Sequence, residues 1–180
     1  EAERLAAPGS AAEFRVSWSR RLAAQEVSTL RGSVETAMRE HPFDPVVLTM
    51  SGWFYVLVGE PEAAMDYFRK AEKLGRFAQL SHLNRAGHAI ALIQTGRDDA
   101  AVEHAKKIVV AAPDLALAYR ILAAALAQLG RQEEAESAAA KHSELVPDYS
   151  ITGNRQGAVL GQDAATARYF DGLRLAGMPE

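Results

Sequence analysis

The sequence predicts an all-α fold, an α-α superhelix in which antiparallel helix pairs stack one upon the next. Three observations carry the prediction. Glycines recur at Gly59, Gly96 and Gly130, 37 and 34 residues apart. Alanines follow each of them at the same offset, at Ala64, Ala101 and Ala135. Alanine is abundant throughout, whereas the 13 glycines and 7 prolines are sparse and punctuate the apolar stretches. A glycine just past a helix can take the left-handed conformation that ends it. A small residue at a fixed place in the following helix lets the two helices approach closely. Self-similarity at such a period is the signature of stacked repeats.

From the beginning of the chain, residues 1–10 read as a linker or frayed end. Residues 11–44 read as a degenerate N-terminal helix pair, with Pro42 standing where Pro113 and Pro147 stand in their units. Trp18 falls where a small residue is expected and Gln25 replaces the turn glycine, so one long helix is the competing reading. Residues 45–149 divide into three repeats, at 45–78, 82–115 and 116–149. The three extra residues in the first interval fall at 77–81, between hairpins, where insertion is cheap. Small residues at Gly52, Ala89 and Ala123 face Ala64, Ala101 and Ala135 across each hairpin. The turns Glu60-Pro61-Glu62, Arg97-Asp98-Asp99 and Arg131-Gln132-Glu133 begin the second helices. There Pro61 suits an early helical position and acidic groups suit the dipole. Pro113 and Pro147 stop the second helices. Residues 150–162 contain three glycines and no helical period, and read as a loop. Residues 163–177 read as a capping helix, started by Asp163 and ended by Gly177 and Pro179. Its apolar face, Ala167, Phe170, Leu173 and Ala176, is expected to dock on the last hairpin, because terminal repeats need a cap.

Over residues 45–149 the pattern resembles the tetratricopeptide repeat (TPR) family, whose arrays are solenoids of stacked helix pairs. Residues 118–124 (AYRILAA), the turn Leu129-Gly130-Arg131 and the tail 169–180 (YFDGLRLAGMPE) carry a narrower resemblance. They are similar to the C-terminal repeat regions of bacterial, especially rhizobial-type, regulatory proteins. In those proteins the repeats follow an adenylate cyclase-like catalytic domain or a winged-helix DNA-binding domain. Residues 154–161 depart from that pattern, which often has a Pro- and Arg-containing segment there. The resemblance implies a non-catalytic protein–protein interaction module of a signalling or regulatory protein. The alternatives it leaves are the regulatory C-terminal region of a cyclase-like enzyme and the effector region of a winged-helix transcription regulator. The sequence does not begin with Met, and a further domain is expected upstream of Glu1.

Composition limits what else the chain can do. The formal net charge is −3, with 20 basic and 23 acidic residues, and no basic run suits nucleic acid. There are no cysteines, which removes disulfides, thiolate metal sites and cysteine nucleophiles together. No apolar run approaches the length of a membrane span, and no signal peptide stands at the start. The expected location is the cytoplasm. Neither an HExxH motif nor a helical i, i+4 histidine pair occurs among His41, His82, His88, His104 and His142. Their expected roles are structural or surface roles. The acidic pairs Asp98-Asp99 and Glu133-Glu134 are accounted for by the helix dipole. No phosphate loop or nucleophile elbow is present. The chain is therefore expected to hold no catalytic residue, cofactor or metal.

What remains is a groove lined by the first helix of each pair. Thr49, Trp53 and Val56 in the first unit, Ile90 and Ile93 in the second, and Arg120 and Gln128 in the third are the candidate contacts. In TPR proteins that clamp a chaperone's C-terminal carboxylate, such places carry Lys, Asn and Arg. Here Arg120 stands alone, so the groove is expected to be apolar with Trp53 as an anchor. Its expected partner is a protein or peptide, or a second copy of the chain as a homodimer. The competing reading packs Trp53 against the N-terminal helices and fills the groove with the chain's own tail.

Overall fold

In the computed structural model, residues 27–74, 78–153 and 164–180 are described. Among them there are eight long helices and no strand. They are α1 (Val27–Glu40), α2 (Pro45–Leu57), α3 (Pro61–Leu74), α4 (Ala78–Gln94), α5 (Asp98–Ala111), α6 (Ala116–Gln128), α7 (Gln132–Leu145) and α8 (Ala164–Leu175). The expectations for residues 1–26, which include Trp18 and Gln25, and for Asp163 lie outside the described residues.

Local chemistry sets the ends of the helices. Asp44 opens α2, accepting hydrogen bonds on Oδ1 from the amides of Val46 (2.7 Å) and Val47 (3.2 Å), with Pro45 at the first helical position. Gly59, Gly96 and Gly130 have φ of 74°, 75° and 71°. Each is followed by an amide that reaches back five residues: Glu60 to the Tyr55 carbonyl (2.8 Å), Arg97 to Leu92 (2.8 Å) and Arg131 to Leu126 (3.0 Å). This is the Schellman closure, in which a left-handed residue lets the chain satisfy the last helical carbonyls. Gly177 closes α8 the same way, with the Met178 amide on the Leu173 carbonyl at 3.1 Å.

The hairpins are α2/α3, α4/α5 and α6/α7, and each of the first two packs through its second helix onto the first helix of the next. The first helices also touch one another, α2 with α4 and α4 with α6. That row therefore forms the inside of the curve. A core of Ala64, Met65, Phe68, Ala89, Ile93, Ala101, Ile108, Ile121, Ala123, Leu126 and Ala135 runs through the stack. A second cluster, with Leu30, Val34, Met50 and Phe54, seats α1 on α2. The ion pairs Arg31–Glu60 (2.7 Å) and Arg97–Glu62 (2.6 Å) bridge elements at the surface, where such pairs contribute little.

Three expectations are corrected. Residues 78–81, where the sequence predicts the insertion between the first two hairpins to fall outside the helices, are helical. Helix α4 begins at Ala78 and has 17 residues against 13 in α2 and in α6. The extra length becomes about one more helical turn, and the first unit's second helix ends at Leu74. The segment 150–162 is not loop throughout, because residues 151–153 are helical and Ile151 is fully buried; residues 154–162 lie outside the described residues. Finally, α8 does not cap the stack by lying beside the last hairpin alone. It packs on α6 and on α4, across the inner row.

Candidate functional site

The inner row is where the sequence places its candidate residues, and the structure puts most of them inside the chain's own core. Thr49, Val56, Ile90 and Ile93 are buried and present no side chain to an outside ligand, which corrects that expectation. The reason is that adjacent first helices and α8 cover the faces left free in an isolated hairpin. Thr49 instead belongs to a buried polar link. Its hydroxyl donates to Oδ1 of Asn84 (3.3 Å), and Asn84 Nδ2 donates to the Phe68 carbonyl (3.1 Å), tying α2, α4 and α3 together. Gln94 adds a second tie, donating from Nε2 to the Val56 carbonyl at 3.0 Å.

Trp53 remains half-buried. Its Nε1 donates to the Leu83 carbonyl (3.1 Å), and its ring meets Phe68 edge-on at 6.4 Å. It spans α2 and α4 with part of the indole left at the surface. Arg120 lies over the Tyr149 ring, 5.3 Å from its centroid. Burial opposes its charge, but the Tyr169 and Tyr149 side chains offset that and leave its pKa above the ordinary arginine value. Burial pushes the Tyr149 hydroxyl up to about 12. Gln128 donates from Nε2 to the Arg168 carbonyl at 2.7 Å. Arg120 and Gln128 thus serve the tail, while Trp53 faces a different part of the row.

The tail is the ligand of this surface. Tyr169, Phe170, Leu173, Ala176 and Met178 are buried against it. Arg168 makes a bidentate ion pair with Asp98, Nη1 to Oδ1 at 2.8 Å and Nη2 to Oδ2 at 2.7 Å, and Nη1 also donates to the Ile93 carbonyl at 2.7 Å. The Asp98 side chain is only 6% exposed and that of Arg168 30%. Gln132 donates from Nε2 to the Leu175 carbonyl (3.0 Å), and the Ile151 amide donates to the Pro179 carbonyl (2.8 Å). A Cβ on Gly172 would stand 2.8 Å from the Ala124 carbonyl oxygen, so α8 crosses α6 with its backbone almost on the other's.

Sequence reasoning missed Asp98, Arg168, Gln132 and Gly172. Asp98 is accounted for by the dipole alone until its partner, 70 residues away, is known. Gly172 did carry a signal: a glycine inside a helix costs about 1 kcal/mol against alanine, and such a position often marks a close approach. Gly172→Ala is expected to loosen α8 and to lower stability by about 1–3 kcal/mol, the usual cost of overpacking. Urea unfolding, with Tyr169 as a near-UV reporter, checks this; an unchanged midpoint would contradict the crossing.

On the outer side, a groove of about 620 Å³ has Tyr119, Leu122 and Leu126 on its floor and Lys106, Lys141 and Glu134 at its rim. Lys141 pairs with Glu144 and Glu134 with Arg131, and the two lysines and three glutamates of the lining make no strongly charged rim. Among the described residues no group of three His, Asp or Glu could hold a metal ion. Nor is any helix there long and apolar enough to cross a membrane.

No family model matches the sequence, and no curated protein matches it. Solved structures do match the fold. PilW, a widely conserved type IV pilus biogenesis factor, superposes with a TM-score of 0.72 at 18% identity, over 90% of this chain and 76% of its own. MamA from Desulfovibrio magneticus RS-1 gives 0.63 at 19% identity, over 93% of this chain and 94% of its own. YrrB, described as a TPR protein with an unusual peptide-binding site, gives 0.59 at 15% identity, over 94% and 88%. The chain therefore has an all-α, TPR-like superhelical fold.

Proposed function

We propose that this TPR-like stack is a non-catalytic protein–protein interaction module of a bacterial signalling or regulatory protein, and that it holds helical segments against its inner row. The observation that carries this reading is α8. A helix with a continuous apolar face lies across α4 and α6, its main chain held at two carbonyls by the amides of Gln128 and Gln132. A surface that seats one amphipathic helix has the shape, the apolar floor and the polar hooks to seat another, which is helix-in-groove recognition. The resemblance of the repeats to bacterial regulators and the fold shared with a peptide-binding TPR protein support the same reading.

Around α2, the half-buried Trp53 would be the aromatic anchor for a partner. Selection of displayed helical peptides against the full chain tests the proposal, with affinities of the selected peptides then measured by calorimetry. Trp53→Ala is expected to weaken them by about tenfold or more, in the range of an aromatic hot spot, with helicity near that of the parent. Failure to enrich any peptide, or peptides that bind the Trp53→Ala chain equally well, would sink it.

A further inference from the structure

Asp98 occupies an unusual position for a carboxylate. It stands in the first turn of α5, almost wholly shielded from solvent, and the C-terminal carbonyl end of α4 lies beside it at Ile93. Both carboxylate oxygens and the Ile93 carbonyl accept from one guanidinium, that of Arg168. Three acceptors in that arrangement match the planar fork of arginine, which can engage two oxygens side by side. A lysine ammonium is a compact point charge that lacks this fork. A shielded carboxylate left without its cation is strongly unfavourable, so this corner selects for a guanidinium wherever a helix lies across the row.

The rest of the surface reads a helix in two further ways. Gln128 and Gln132 hold main-chain carbonyls, at Arg168 and Leu175, and so are indifferent to side chains. The floor takes Tyr169, Phe170 and Leu173, and the crossing over Ala124 admits only a very small residue at position 172. The resident helix thus spells out a recognition pattern: arginine, two aromatics, any residue, a small residue and leucine.

Resting on the interaction-module reading above, we propose that Asp98 and the Ile93 carbonyl form a guanidinium socket, and that a partner helix bearing this arginine-led pattern enters it by displacing α8. The α8 segment is then a built-in competitor. A partner's apparent affinity is its intrinsic affinity scaled by the fraction of chains whose α8 has left.

A fluorescein-labelled peptide of residues 164–180, followed by fluorescence anisotropy on the full chain, tests this. Arg168→Ala in the protein weakens the resident helix and is expected to raise affinity for the peptide by about tenfold or more. A peptide carrying lysine at position 168 should bind this variant about tenfold more weakly than the arginine peptide. That preference should vanish when Asp98→Asn is added to the protein. Equal binding of the two peptides, or no gain from Arg168→Ala, overturns the socket. Should Arg168→Ala lose cooperative melting, hydrogen exchange of the parent chain decides: α8 amides opening more readily than those of α4 and α6 support displacement, and α8 opening only with the whole chain overturns it. Displayed peptides that still bind at Trp53 while the 164–180 probe fails would remove this proposal and leave the interaction module standing; loss of both would remove both.

Discussion

Phe68→Ala is expected to destabilise the chain by about 3–5 kcal/mol, the usual cost of emptying a buried aromatic site, and to lower the melting temperature by roughly 10 °C. The Phe68 ring of α3 sits between the backbones of α2 and α4. It fills the space that a Cβ on Gly52 of α2 would enter at 2.6 Å, and that a Cβ on Gly87 of α4 would enter at 2.3 Å. Trp53 meets it edge-on, His88 stacks on it at 6.1 Å, and its carbonyl accepts from Asn84. Removing the ring therefore opens a void between the first and second hairpins that backbone on both sides cannot close without breaking the Thr49–Asn84 link. Because stacked repeats gain stability from nearest-neighbour interfaces, the loss should fall on that joint. Far-UV and near-UV melts of the variant should separate, with the aromatic signal of Trp53 lost first. A drop of less than about 1 kcal/mol would mean that the hairpins close up around the missing ring.

The sequence carried the hairpins and not the way the tail folds back over them. Gly59, Gly96 and Gly130, with the alanines that follow, encode local events: a helix stops, reverses and packs on itself, and each step needs only residues within about one turn of one another. Such events repeat, so they can be recognised by comparing the chain with itself. The position of α8 depends on three features that occur once each. They are the missing side chain of Gly172 over Ala124, the Arg168–Asp98 pair and the amide hooks of Gln128 and Gln132. The same limit applies to the candidate groove. Helical periodicity says that Thr49, Val56, Ile90 and Ile93 share the free side of their hairpins, but whether that side stays free depends on what lies across it. Gly87 is a related case, since nothing in its own helix shows that the Phe68 ring from another hairpin needs the space. Besides the helical glycine at 172, one further sign available in advance was chemical: a lone cation, Arg120, among apolar candidates. In the fold it sits over Tyr149 beneath the tail.

Acidification is expected to weaken the fold by roughly 2 kcal/mol between pH 7 and pH 5, above the range in which most carboxylates are protonated. Burial lowers His88 to about 4, with His104, Arg69 and Arg97 pushing the same way. Burial also lowers His142 to about 4, helped by the charge of Arg120. Burial lowers His104 as well, against an opposing pull from Glu72. A histidine whose folded pKa is below its unfolded one binds fewer protons in the folded state than in the unfolded state. Its contribution is therefore complete above about pH 6.5, drains as pH falls and is gone below about 4. One pKa unit is worth about 1.4 kcal/mol, and with solvent screening allowed for His88 and His142 should each give up on the order of 1 kcal/mol by pH 5. The geometry places the damage. The His88 and His104 rings lie 4.7 Å apart across the α4/α5 hairpin, and His142 meets Tyr149 edge-on at 4.6 Å, next to Arg120. Protonation would set like charges against each other at both places. Urea midpoints measured at pH 7 and pH 5 should differ by the summed amount. His88→Gln and His142→Gln should each remove part of the difference and His104 should leave a remainder, since a neutral amide cannot take up the proton. Midpoints that coincide at the two pH values would mean that the rings are charged in the folded chain as readily as in water.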